Sequence, residues 1–195
     1  MRRGKVMNVR PIMLVATILV VGTAVPLVSQ VSSRPGVPTD NQELKRLRDE
    51  DQADRIPNAI DWSVVTPRDS VRLKRVIQVF EAGDLQTAMD YVNAALVLQH
   101  GDAPEDALLA HELCVAAMML GKNDIESSSL AAAAEDRFLM KIGRPQRFGT
   151  QYRSEGGAPL RLYTVDHGVT DPLRRLMGEP SLAQAKAQEA EFNKK

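Results

Sequence analysis

Beyond residue 40 the apolar positions recur at helical spacing, and turn residues break the pattern at intervals of roughly one helix length. Thr39 or Asp40 caps a first predicted helix, NQELKRLRDEDQADRI (41–56), which ends before Pro57 because proline disfavours helix at the residue before it. Thr66-Pro67 reads as a cap followed by proline in the first turn, ahead of VRLKRVIQVFEA and a closing Gly83. Asp84 opens LQTAMDYVNAALVLQ, closed by Gly101. Asp102 with Pro104 opens EDALLAHELCVAAMML, closed by Gly121. Asn123 or Asp124 opens IESSSLAAAAEDRFLMKI, closed by Gly143. Connections of a few residues imply antiparallel neighbours.

After Gly143 the texture changes. RPQRFGTQYRSEGGAP is polar and glycine-containing, LRLYTV suits one short strand near 160–165, and DPLRRLMG and SLAQAKAQEAEFN read as two terminal helices. The expected fold class is therefore all-α, either a small helical bundle or an array of tetratricopeptide-like helical hairpins. Gly83 and Gly121 sit at equivalent turns, and Ala95 and Ala133 follow them at the same interval, which is the pattern a hairpin repeat would leave. The tryptophan and tyrosine of the tetratricopeptide consensus are missing from the first helices, and a bundle explains the spacing equally well.

The N-terminus has a different pattern. Residues 11–28, PIMLVATILVVGTAVPLV, carry no charge; Arg2, Arg3, Lys5 and Arg10 precede them, and no acidic residue occurs before Asp40. Basic residues held in the cytoplasm ahead of an apolar run make residues 1–28 either a cleaved signal peptide or an uncleaved membrane anchor. Gly22-Thr23-Ala24 offers the small residues a signal peptidase reads, whereas the length of the run suits a spanning helix. Residues 29–40, SQVSSRPGVPTD, are a Ser/Pro/Gly linker, leaving 41–195 as the helical domain in the cell envelope, on the periplasmic or extracellular side.

Composition narrows the function classes. The chain has 195 residues with 25 basic and 25 acidic side chains, and once the basic N-terminus is set aside the remainder is slightly acidic, so no nucleic-acid partner is expected. Aromatic residues make up 4%, which suits close-packed helices better than a β-sandwich. Cys114 is the sole cysteine, so the domain has no intrachain disulfide and rests on its core.

The helix after Pro104 is nearly all apolar and is expected at the centre. His111 and Glu112 interrupt it: Ala107, His111, Cys114 and Met118 share one stripe, and Leu108, Glu112, Val115 and Met119 share the next. Both side chains are expected to face inward or toward a groove, with Glu112 paired to Arg137, Arg55 or a histidine. HELCV begins like a zinc-protease motif, but Val115 occupies the place of its second histidine, so neither metal nor cofactor is expected. His100, in QHG, ends a helix where the dipole favours a cation, and Gln99 leans to its apolar side. In RPQRFGTQ, Arg144, Gln146, Arg147 and Gln151 surround Phe148 and Gly149, which suits an anion-binding loop or a lid anchored by Phe148.

Taken in order, DQADR (51–55), QHG (99–101), PEDALLAHEL (104–113), EDRFL (135–139) and RPQRFGTQ (144–151) resemble a bacterial family of unknown function. In that family a DQ-x-x-R helix, a QH pair, a DR pair and an FGTQ or YGTQ loop succeed one another. The resemblance covers most of the chain from Asp51, includes a segment like Asp171–Gly178, and leaves out the apolar N-terminus. It implies that Asp51, Gln52, Arg55, Gln99, His100, Asp136, Arg137 and Gln151 converge, and it implies no activity.

Two functions follow from these readings. The first is an envelope module whose helical groove binds a protein or peptide. The second is a small-molecule or hydrolytic site built from the His/Asp/Arg/Gln cluster, with Gln52, Arg55, His100, Arg137 and Gln151 lining one cleft. Residue types alone leave open whether the chain is an enzyme.

Overall fold

The structure is a computed structural model and describes residues 37–56, 60–154 and 156–194. The segment read as signal or anchor, 1–28, and most of the linker lie outside the described residues. Within them run α1 (Gln42–Ala53), α2 (Trp62–Glu81), α3 (Ala88–Leu98), α4 (Pro104–Met119), α5 (Ile125–Lys141), β1 (Tyr152–Arg153), β2 (Arg161–Leu162), α6 (Asp171–Leu176) and α7 (Leu182–Phe192). The protein is a helical bundle with one two-stranded antiparallel sheet. The strand expected near 160–165 is β2; its partner β1, in register Tyr152 to Leu162, lies within the polar, glycine-containing segment, where no strand is expected.

Most helix boundaries obey local chemistry. Asn41, one residue beyond the expected cap, accepts from the backbone of Glu43 and Leu44. Asp124 caps α5, and Gly83, Gly121 and Gly143 follow α2, α4 and α5 with positive φ, where a side chain would clash with its own backbone. Two expected starts are displaced. α2 begins at Trp62 under an Asp61 cap, so Pro67 lies inside the helix in its second turn, where it has no N–H to give to the Ser63 carbonyl. α3 begins at Ala88, because Thr87 and Asp90 form a reciprocal capping box. Buried Asp90 also accepts from the backbone of Asn41 and Gln86, which ties the start of α1 to the start of α3.

The centre of the bundle is α3, not α4. Residues Val92 to Leu98 are buried without interruption, and α1, α2, α4 and α5 all pack on this helix. Small residues set the spacing: Ala94, Ala95, Ala107, Ala110, Ala117, Ala131 and Ala134 are fully buried. α4 therefore turns its alanine side inward with Cys114, and the Leu108–Glu112–Val115–Met119 stripe faces solvent. Glu112 is exposed, and Arg137, Arg55, His100 and His111 have other partners, which corrects the expected buried pair. The physical reason is that apolar stripes outnumber contacting neighbours, and the closest helix approach selects the smallest side chains.

The C-terminal part packs on α5 and on itself. Phe148, Val169 and Ala132 make a second small core, and Tyr152 meets Phe192 edge-on at 4.9 Å between ring centroids.

Candidate functional site

The end of α1 carries the first group of polar side chains. Asp51, Gln52 and Arg55 lie within one turn, and Asp51 is completely buried. Both Asp51 oxygens lie 3.0–3.1 Å from His100 Nδ1, which arrives from the turn after α3. Arg55 Nη1 sits 3.0 Å from Oδ1 of Asp51 and donates to its carbonyl oxygen at 2.9 Å, while Gln52 Nε2 donates to Oδ2 at 2.8 Å. Three side chains thus hold one buried carboxylate.

α2 supplies a further acid–base ladder. Arg55 grips Asp69 with two nitrogens, Arg72 bridges Asp69 at 2.6 Å and Asp54 at 2.9 Å, and Arg68 reaches Asp54 at 2.8 Å. Burial alone would raise the Asp69 and Asp54 pKa values, but hydrogen bonds from these arginines outweigh it and both lie below the usual carboxylate range. The ladder is balanced, with Asp51, Asp54 and Asp69 against Arg55, Arg68 and Arg72.

Arg137, on α5, is outside that balance. It forms no ion pair to a carboxylate among the described residues: Nη1 donates to the Gln99 carbonyl at 3.2 Å, and buried Nε has no partner. Burial, and then repulsion from Arg55, lower its pKa, with Asp51 opposing. This guanidinium lines a cleft of about 640 Å³ together with Arg55, His100, Asp69, Trp62, Leu73 and Ile60. Asp102 and Asp106 are at the rim, where the Asp106 carboxylate accepts from Ala103 N–H at the start of α4. A Cβ at Gly101 would overlap that carboxylate, so glycine is needed here for close approach.

His100 is held in one tautomer. A carboxylate is an acceptor only, so Nδ1 carries the proton, and Nε2 is left as a lone pair with no hydrogen-bond partner among the described residues. Burial lowers the His100 pKa; the Asp51 hydrogen bond raises it, and Arg137 and Arg55 lower it further. The ring is therefore neutral near pH 7.

The other expected site residues lie elsewhere. Asp136 is adjacent to Arg137 but faces the 144–151 loop, where it accepts from the backbone of Arg147, Phe148 and Thr150 and from the Thr150 hydroxyl. Gln151 is outside the cleft: its amide donates to Thr150 Oγ1 at 2.9 Å and more weakly to the Ala133 carbonyl at 3.4 Å. Gln99 contributes its carbonyl oxygen to Arg137. His111 Nδ1 meets the Ala131 carbonyl at 3.0 Å and so ties α4 to α5. Burial pushes the Cys114 thiol up to about 12, which leaves it unreactive.

Sequence reasoning missed Asp69 and Trp62, which nothing in their local pattern sets apart from a solvated helix face. Gln146, expected among the donors of an anion-binding loop, is instead buried: its amide donates to the Gln151 and Tyr163 carbonyls at 2.9 Å and its oxygen accepts from Gln151 N–H. The loop that suggested an anion site is thus occupied by the protein's own carboxylate, Asp136. No protein-family model, no curated protein and no solved structure matches the chain, so the reading of the cleft rests on its own geometry.

Proposed function

We propose that the domain binds a small molecule bearing a carboxylate or phosphoryl group, with the anionic end on Arg137 and the apolar body against Trp62, Leu73 and Ile60. The observation that carries this reading is Arg137 itself. A largely desolvated cation, beside a second cation and without a carboxylate partner among the described residues, is costly unless an anion completes it. The cleft volume falls in the range of small-molecule sites, and its mixed lining suits a ligand with one charged end.

Titration calorimetry on the full chain tests this, with sulfate standing for tetrahedral oxyanions and acetate for carboxylates. At least one should bind saturably, and Arg137→Gln should weaken it by about tenfold or more while the far-ultraviolet spectrum is kept, as expected for a charge-assisted hydrogen bond. Arg137→Lys should recover only part, because a point charge lacks the guanidinium fork. Equal affinity in wild type and Arg137→Gln would refute the reading.

A second reading, docking of a protein or peptide partner, is supported by the exposed α4 stripe of Leu108, Val115 and Met119. Val115→Glu should then abolish cross-linking to that partner in cells, and unchanged cross-links would exclude this face. Both readings place the domain outside the cytoplasm, on the strength of the basic residues and apolar run at 1–28. A C-terminal reporter that is active only in the cytoplasm should therefore stay silent.

A further inference from the structure

The cleft contains a second chemical group whose arrangement anion binding alone does not require. His100 Nδ1 is locked to a fully buried carboxylate that is itself held by Arg55 and Gln52, so the imidazole has one orientation and one tautomer. Its unpaired Nε2 belongs to a residue that lines the same cleft as Arg137. With Nδ1 taken up by Asp51, Nε2 is the ring nitrogen through which His100 can meet a ligand in that cleft.

From this geometry we infer that Asp51 and His100 form a general-base pair for the ligand held by Arg137, and that the ligand class is a small weak acid whose proton passes to His100 Nε2. This inference rests on the anion-binding reading above. The step balances without any other reactant: the O–H bond of the acid breaks, an Nε2–H bond forms, and the products are an oxyanion on Arg137 and an imidazolium on Asp51. Two adjacent ion pairs then replace one unpaired cation and one neutral ring.

The charges around His100 support the coupling. Asp51 faces it from α1, Arg55 from the turn after α1, and Arg137 from α5, and Asp69 pairs with Arg55 from α2; Asp102 stands at the rim after α3 and Asp106 in the first turn of α4. Burial first, and then the charges of Arg137 and Arg55, keep the proton off the ring. An anion on Arg137 offsets the larger of the two repulsions, and Asp51 is already placed to hold the imidazolium. Anion binding and proton uptake thus favour each other, and linkage makes that coupling reciprocal.

The test is the pH dependence of sulfate and acetate binding to the full chain, since neither probe changes its own protonation between about pH 6 and 8. Affinity should strengthen as pH falls across this window, by several-fold and by no more than about tenfold per pH unit for one linked proton. Calorimetry at a single pH in two buffers of different ionisation heat should register the proton taken up. His100→Gln should still bind the anion, with affinity flat in pH within about twofold and no buffer-dependent heat. Binding that is independent of pH in the wild type, or a pH dependence that survives His100→Gln, overturns the general-base inference and leaves the Arg137 reading intact. No saturable binding of either probe at any pH overturns both.

Discussion

Replacing Asp136 with asparagine separates the scaffold from the cleft, because Asp136 sits beside Arg137 in sequence yet serves only the 144–151 loop. Its side chain is fully buried and accepts from Arg147 N–H at 2.6 Å, Phe148 N–H at 2.9 Å, Thr150 N–H at 3.0 Å and the Thr150 hydroxyl at 2.9 Å. Hydrogen bonds to a charged group contribute roughly 1.5–3 kcal/mol each, and bonds sharing one acceptor do not add. In Asp136→Asn the remaining carbonyl oxygen still serves Arg147 and Phe148, now as a neutral acceptor. The new NH₂ faces the Thr150 N–H, donor against donor, while the Thr150 hydroxyl turns to accept. One orphaned buried N–H and two weakened bonds together cost about 3 kcal/mol, within a range of about 2–5. For a domain of this size that corresponds to a Tm lower by about 6–12 °C. Urea denaturation followed by circular dichroism reads the loss, and hydrogen exchange at residues 147–150 should quicken more than in α3. A loss below about 1 kcal/mol, or unaltered exchange in that loop, would refute the argument.

Two further outcomes follow from burial and charge. Glu112→Ala should change stability by no more than about 0.5 kcal/mol in urea denaturation, because the side chain is exposed on α4; a loss of several kcal/mol would return it to the core. Asp69 has its pKa held down in the fold, so its contribution is fully present above the unfolded value near pH 4 and lost as pH falls through the folded value below it. The urea midpoint of the wild type should therefore drop below about pH 4, and Asp69→Asn should start from lower stability and lose less over the same range.

The sequence by itself determined what is local. Caps, positive-φ glycines and the spacing of apolar positions placed the C-terminal ends of α2, α4 and α5 within one residue, since each signal acts within one turn of helix. The start of α2 was misread because Asp61, an ordinary acidic cap, lay upstream of the more conspicuous Thr66-Pro67. The ordered short motifs also pointed to polar groups that meet in space, and Asp51 does meet His100 across 49 residues of chain.

Only the tertiary structure decided how those groups are divided. α4 offers two apolar stripes of similar composition, and the sequence does not say which one its neighbours will cover. Close packing against α3 and α5 covers Ala107, Ala110, Cys114 and Ala117 and leaves Glu112 outside. Asp136 and Arg137 differ by one position, which on a helix is about 100° of rotation, enough to send one into a loop clamp and the other into a cleft. Gln151 joined the clamp because its segment follows Asp136, not because its residue type differs from Gln52. Residue chemistry sets what a side chain is able to bind; the packing of alanine-lined helices fixes which partner it reaches, because that depends on interhelix distances that no local pattern encodes.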